Sequence, residues 1–229
     1  MKKTKFLEQH PRHREQIVPY SDGQALLMSA IELDSPMVVT TGYAGTGKTY
    51  VPTTMAADLL IDGTFNGGVD KIILTRPNEA SGRPIGFRPG TMIEKMSEWF
   101  AEQLSILKDR MGPNEVDLAI RRGKIEMVPF ETMRGRSFRD AFILLDEAQN
   151  TSPAQMKMFV TRIGESSRAV VNGDVLQSDL RGASGLSVLL EIIRENGMEV
   201  PIIEFTKDEI VRSKLCREFI INWEKWEKQ

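Results

Sequence analysis

Short apolar runs alternate with longer stretches whose apolar positions recur at helical spacing, and the alternation persists from residue 37 to the end of the chain. The runs predict strands at 37–41, 71–75, 125–128, 142–146, 169–172 and 202–205, and the longer stretches predict helices at 48–60, 91–107, 153–163, 186–194 and 208–225. Strands that alternate with helices imply an α/β fold, a mostly parallel sheet covered by helices on both faces. The run Phe142-Ile143-Leu144-Leu145 shows no polar alternation, as expected of a central strand buried on both sides. Ser152 as N-cap, Pro153 at the first helical position and Gly164 just past the end punctuate one helix. Two stretches break the pattern. Residues 76–90, with three prolines and three glycines, predict a loop at the carboxyl end of the second strand, the edge where open α/β sheets bind ligands. Residues 108–124, with Gly112-Pro113 and Arg121-Arg122-Gly123, predict an irregular connection. Residues 1–229 are therefore expected to form a single domain, with 1–18 as a peripheral segment.

Composition narrows the setting. The chain has 229 residues, 41% hydrophobic and 27% charged, the balance of an ordinary globular protein. No apolar run approaches a membrane span and the start lacks the apolar stretch of a signal peptide, so a cytoplasmic protein with no membrane partner is expected. The single cysteine, Cys216, excludes an internal disulfide and is expected to pack among Leu215, Phe219 and Ile220. A net charge of −2 argues against coating nucleic acid by bulk attraction, yet arginines cluster locally at Arg83 and Arg88, at Arg121 and Arg122, and at Arg134, Arg136 and Arg139. His10 and His13 are too isolated to suggest a metal site.

Candidate chemistry begins at the end of the first strand. Gly42-Tyr43-Ala44-Gly45-Thr46-Gly47-Lys48-Thr49 is a complete GxxxxGK[ST] phosphate loop. In such a loop backbone N–H groups curl around the phosphates, Lys48 reaches the β and γ oxygens, and the Thr49 hydroxyl ligates Mg²⁺. The positive end of the following helix adds to the attraction. A second strand end delivers Asp146 and Glu147, with Asp146 expected to hold Mg²⁺ and Glu147 to polarise the attacking water. A third supplies Gly173-Asp174 and Gln177, the glutamine placed to sense the γ-phosphate or orient water. Gln24 carries an amide that can read the donor and acceptor edge of adenine. Arg212, near a helix start after the last strand, can neutralise charge on the γ-phosphate, for its own chain or for a neighbour.

With these residues assembled, the chain resembles the PhoH-like family of P-loop ATPases, related to the amino-terminal core of superfamily-one helicases. The resemblance rests on residues 42–49, Leu74-Thr75-Arg76-Pro77, Gly86-Phe87-Arg88-Pro89-Gly90, Met133-Arg134-Gly135-Arg136-Ser137-Phe138, Asp146-Glu147-Ala148-Gln149-Asn150, Gly173-Asp174 with Gln177, and Val211-Arg212. It departs from the family pattern at Arg88, where an apolar residue is expected, and at Ser137, where threonine is usual. The resemblance implies a RecA-like three-layer sandwich, ATP hydrolysis with Mg²⁺, and a link to RNA metabolism or helicase-like work. It also raises Arg76, Arg134 and Arg136 above ordinary surface charge.

The expected function is an ATPase coupled to single-stranded nucleic acid, RNA favoured over DNA, with 76–90 and 130–139 as contact loops. Their arginines, Arg76, Arg88, Arg134 and Arg136, suit phosphates, and Phe87 or Phe138 could stack a base. No second RecA-like or nuclease domain is expected after the last helix. A homo-oligomer is therefore expected, a hexameric ring being one form, with ATP between subunits and Arg212, Arg134 or Arg136 supplied in trans. Two other classes compete: a nucleotide-dependent clamp or assembly factor with little turnover, and a small-molecule kinase, against which the Asp146-Glu147 pair argues.

Overall fold

A computed structural model describes residues 15–63, 67–77, 92–180 and 182–227. Six strands form one sheet: β1 (Met37–Gly42), β2 (Lys71–Thr75), β3 (Ile125–Met127), β4 (Ala141–Leu145), β5 (Arg168–Gly173) and β6 (Ile202–Phe205). Their order is β3-β2-β4-β5-β1-β6 and every neighbouring pair is parallel. All six carboxyl ends consequently lie along one edge.

Consecutive strand residues point to opposite faces, and each face has its own apolar layer. Val38, Ile72, Phe142 and Val170 pack beneath α1 (Asp22–Glu32), α2 (Tyr50–Asp62), α4 (Ala101–Met111) and α5 (Pro113–Arg121). Their neighbours Val39, Ile73, Ile143 and Val171 pack beneath α6 (Pro153–Val160) and α7 (Gly185–Glu195). The result is the expected three-layer sandwich. All five residues of β4 are buried, which explains why that strand carries no polar alternation.

Several local expectations need correction. The helix foreseen over 91–107 is two, α3 (Met92–Trp99) and α4, divided at the buried Phe100. The irregular connection foreseen over 108–124 is mostly helical, because Pro113 opens α5 and Val116 and Ala119 bury one face of it. Helix α1 was not foreseen; Ser21 caps it by accepting from the Gln24 N–H, and Leu27, Ala30 and Ile31 form its buried stripe. Ser152 and Pro153 open α6 as expected, with a reciprocal bond from the Ser152 N–H to the Gln155 side chain. That helix ends at Val160, well before Gly164.

The last helix, α8 (Lys214–Glu227), starts later than expected, because residues 207–209 form a separate 3-10 turn. It buries little. Leu215, Phe219, Trp223 and Trp226 are all more than 60% exposed, and Cys216 is an exposed free thiol rather than a packed one. No described helix is long and apolar enough to cross a membrane.

This burial map predicts opposite outcomes for two aromatic truncations. Phe142→Ala, in the middle of β4, should cost about 3–5 kcal/mol by the lost burial and the cavity left behind. Trp226→Ala should change stability by less than about 0.5 kcal/mol. Urea denaturation of both variants checks the pair.

Candidate nucleotide site

The cleft at the carboxyl edge has a volume of about 430 Å³, within the range of small-molecule sites. Its floor is the phosphate loop between β1 and α2. Gly42, at φ +116°, lies so close to β6 that a Cβ there would sit 2.1 Å from the Phe205 carbonyl oxygen. Gly47, at φ +92°, makes room for Gln24, whose Nε2 would be 2.6 Å from a Cβ. Two of the loop glycines are thus required by the loop's neighbours as well as by its curvature.

The Lys48 ammonium is largely buried and donates to the carbonyls of Gly42 and Tyr43, each at 2.5 Å. Burial lowers its pKa, against the opposing pull of Asp174, Asp146 and Glu147. The Lys48 carbonyl accepts 2.7 Å from Asn172 Nδ2, and Asn172 Oδ1 accepts from Thr40 Oγ1. This buried asparagine on β5 ties the loop to the sheet. It was not foreseen.

Asp146 leaves β4 beside the loop, its carboxylate oxygens 3.3 and 3.4 Å from Thr49 Oγ1. One oxygen accepts from the Glu147 N–H at 3.2 Å and the other from Gln103 Nε2 at 2.6 Å. Burial above all, with the nearby charges of Glu147 and Glu102, pushes the carboxyl up from 3.8 to about 6, while Arg76 and the Glu147 N–H pull the other way. A hydroxyl and a carboxylate this close are hard oxygen donors suited to a divalent cation. No described cluster of three or more His, Cys, Asp or Glu residues could hold a metal. The remaining ligands of such an ion would come from phosphates and water, the usual arrangement for Mg²⁺ on a nucleotide.

Glu147 adopts the left-handed conformation, φ 55° and ψ 37°, an uncommon state for a non-glycine residue and a strained one. Its carboxylate accepts 2.6 Å from Gln149 Nε2, while Gln149 Oε1 accepts from the Asp174 N–H at 3.1 Å. Gln149 is 2% exposed and links the exits of β4 and β5. Asp174 is raised mainly by burial. It accepts from the Leu176 N–H and from Gln177 Nε2, so Gln177 stands at the rim of the cleft with its amide docked on Asp174.

The remaining foreseen residues fall into place unequally. Gln24 is buried; its Nε2 donates to the Thr46 carbonyl and its Oε1 accepts from the Tyr20 N–H, which leaves one proton and one lone pair of the amide. Arg212 lies over the phosphate loop of its own chain, its side chain against Gly45 and the Val211 N–H donating to the Gly45 carbonyl at 2.8 Å. Arg76 donates to the Trp99 carbonyl and its charge reaches Asp146. Arg136 is braced by an ion pair with Glu126 at 2.5 Å and stacks over Phe138. Phe138 is 3% exposed, which removes it as a base-stacking platform. Arg134 is exposed, with no side-chain partner among the described residues. Arg88, Phe87, His10 and His13 lie outside the described residues.

A family model described as "PhoH-like protein" matches residues 16–224. The chain belongs to the PhoH family. Protein PhoH of Escherichia coli strain K12 is 42% identical over 210 residues, covering 90% of this chain and 58% of that protein. The PhoH-like protein of Bacillus subtilis strain 168 is 40% identical over 206 residues, covering 89% of this chain and 62% of its own length. The chain thus spans about three-fifths of these PhoH relatives. The large terminase of a thermophilic bacteriophage is similar in fold, with a TM-score of 0.52 at 12% identity over 88% of this chain and 49% of that one. Membership of the family supports nucleotide binding by the chain, and the phosphate loop of the sequence lines this cleft.

The Asp146 carboxyl sets a pH dependence. Its folded pKa lies above the unfolded value, so its favourable contribution is complete below about pH 3.8 and is lost as pH rises through about 6. The loss is on the order of 1–3 kcal/mol. In metal-free buffer Asp146→Asn should therefore stabilise the protein more at pH 8 than at pH 5. Urea midpoints at the two values check the difference.

Proposed function

We propose that the chain is a Mg²⁺-dependent ATPase whose turnover is coupled to single-stranded nucleic acid. The observation that carries the proposal is the convergence of Lys48, Thr49, Asp146 and Glu147, from two strand ends, on one cleft of nucleotide size. Lys48 would neutralise the β- and γ-phosphates once its ammonium leaves the loop carbonyls. Thr49 and Asp146 would hold the cation, which when bound offsets charge on the phosphates. Glu147 would take a proton from the attacking water, and its strained backbone is consistent with a residue placed for chemistry. Gln24 would read the adenine edge with the proton and lone pair it has left. Arg212, lying over its own phosphate loop, would meet the γ-phosphate in cis.

For nucleic acid, RNA before DNA, the support is the family resemblance together with the exposed Arg134 in the loop between β3 and β4. Arg136, occupied by Glu126 and Phe138, serves better as a brace for that loop. Assembly as a homo-oligomer with a shared site, a hexameric ring being one form, belongs to the same proposal; Arg134 is then the arginine best disposed to reach a neighbour. One contact favours the clamp reading instead. The Gln149 amide donates to one oxygen of the Glu147 carboxylate, which makes that oxygen less ready to take a proton and so slows turnover.

Phosphate release from ATP, with and without single-stranded RNA and DNA, tests the proposal. Lys48→Ala and Glu147→Gln should each lower the rate by about 10²–10⁴-fold. Glu147→Gln should keep its nucleotide affinity, and one polymer should raise wild-type turnover. Wild-type protein that binds ATP yet releases no phosphate under any of these conditions would favour the clamp.

A further inference from the structure

Gln103 lies on α4, 43 positions before Asp146 in sequence, and is 3% exposed among Leu104, Ile106, Leu107 and Met111. A glutamine amide buried in such a layer loses hydrogen bonds to water, at a cost that an apolar side chain of similar length would avoid. The loss is offset by a 2.6 Å bond to a carboxylate, a charge-assisted contact stronger than a neutral one. Without it, the hydrogen-bond partners of the Asp146 carboxylate among the described residues would be the Glu147 N–H at 3.2 Å and the long contacts to Thr49, which hold its plane less firmly about the terminal torsion. Gln103 fixes that plane from the α4 side, so the oxygens face Thr49.

We infer that Gln103 is a positioning residue for the divalent cation: it touches neither nucleotide nor metal, and acts by orienting the carboxylate that does. The inference rests on the proposed role of Asp146 and Thr49 as cation ligands. It assigns α4 a part in metal affinity in addition to its part in the apolar core. Partners that orient a metal ligand in this way characteristically contribute about 10- to 100-fold to metal affinity.

The test is a binding titration with a fluorescent N-methylanthraniloyl derivative of ATP, across a Mg²⁺ series and in EDTA. Gln103→Met keeps the length and removes the donor. The half-saturating Mg²⁺ concentration should rise about 10- to 100-fold in Gln103→Met, with affinity in EDTA changed by less than about twofold. A purely structural role would instead weaken binding equally with and without Mg²⁺, or leave both unchanged, and either result overturns the inference. So does a Gln103→Met protein that fails to fold, since the bond to Asp146 would then be supporting the fold rather than orienting a cation ligand. Asp146→Asn is the control for the underlying reading. If its Mg²⁺ dependence matches wild type, the cation site itself is misassigned; if it loses the dependence while Gln103→Met keeps it, only the role of Gln103 falls.

Discussion

A carboxylate almost wholly removed from water is the constraint around which the site is arranged. Asp146 follows five buried apolar residues of β4, and burial disfavours its charge more than any other influence on it. Against burial and the neighbouring Glu147 and Glu102 charges, four groups favour the charge: the Glu147 N–H, the Gln103 amide, the Thr49 hydroxyl and the Arg76 guanidinium. These come from four parts of the chain. The cost of an uncompensated buried charge explains why they must all be held in register, and a cation arriving between Asp146 and Thr49 would relieve the same penalty that keeps the carboxyl partly protonated near pH 6. Under the proposed function, the pull of this site on a cation and the cost of a charged, buried Asp146 carboxylate are two aspects of one electrostatic fact.

The all-parallel sheet makes this arrangement possible. Because the strand ends share one edge, β1 can supply the phosphate loop, β4 the two acids and β5 Asp174 without any long excursion of the chain. The polar residues inside the strands reinforce the edge. On β1 and β5 Thr40 and Asn172 stand opposite each other, the asparagine oxygen accepting from the Thr40 hydroxyl while its amide N–H donates to the Lys48 carbonyl. Gln149 makes a similar link between the exits of β4 and β5. Each is a buried amide with its hydrogen bonds largely made, the condition under which polar groups rigidify an interior rather than weaken it.

Much of this was legible in the sequence and some was not, for reasons that differ residue by residue. Sheet strands could be read because burial on both faces writes an uninterrupted apolar run, as in 142–145. The phosphate loop and the Asp146-Glu147 pair could be read because their spacing is set by local geometry. Gln103 and Asn172 could not, since an isolated amide within a helix or strand has no local signature and its partner is fixed only by tertiary packing. Helices α1 and α5 did leave signals, a Ser21–Gln24 cap and a proline start with Val116 and Ala119 three apart, but each was weaker than the turn residues around it. Cys216 was misjudged because apolar spacing in α8 is ambiguous: the same stripe suits a core or an exposed face, and here Leu215, Phe219, Trp223 and Trp226 are exposed.

The placement of Arg212 bears on how the site could be completed. The Val211 N–H is bonded to the Gly45 carbonyl and the arginine side chain crosses Gly45, so the segment after β6 is fastened to the phosphate loop of its own chain. Glu209, just before it, accepts from the N–H groups of Gly23 and Thr206, which joins the same segment to the start of α1, where Gln24 in turn reaches the Thr46 carbonyl. Drawing the backbone of this segment out to serve a neighbour would break the Val211–Gly45 bond and the Glu209 bond to the start of α1. Under the proposed function a neighbouring copy therefore has a narrower task than supplying an arginine in place of Arg212: it would cover a cleft whose phosphate end already has its cation ligands, acid and guanidinium from one chain.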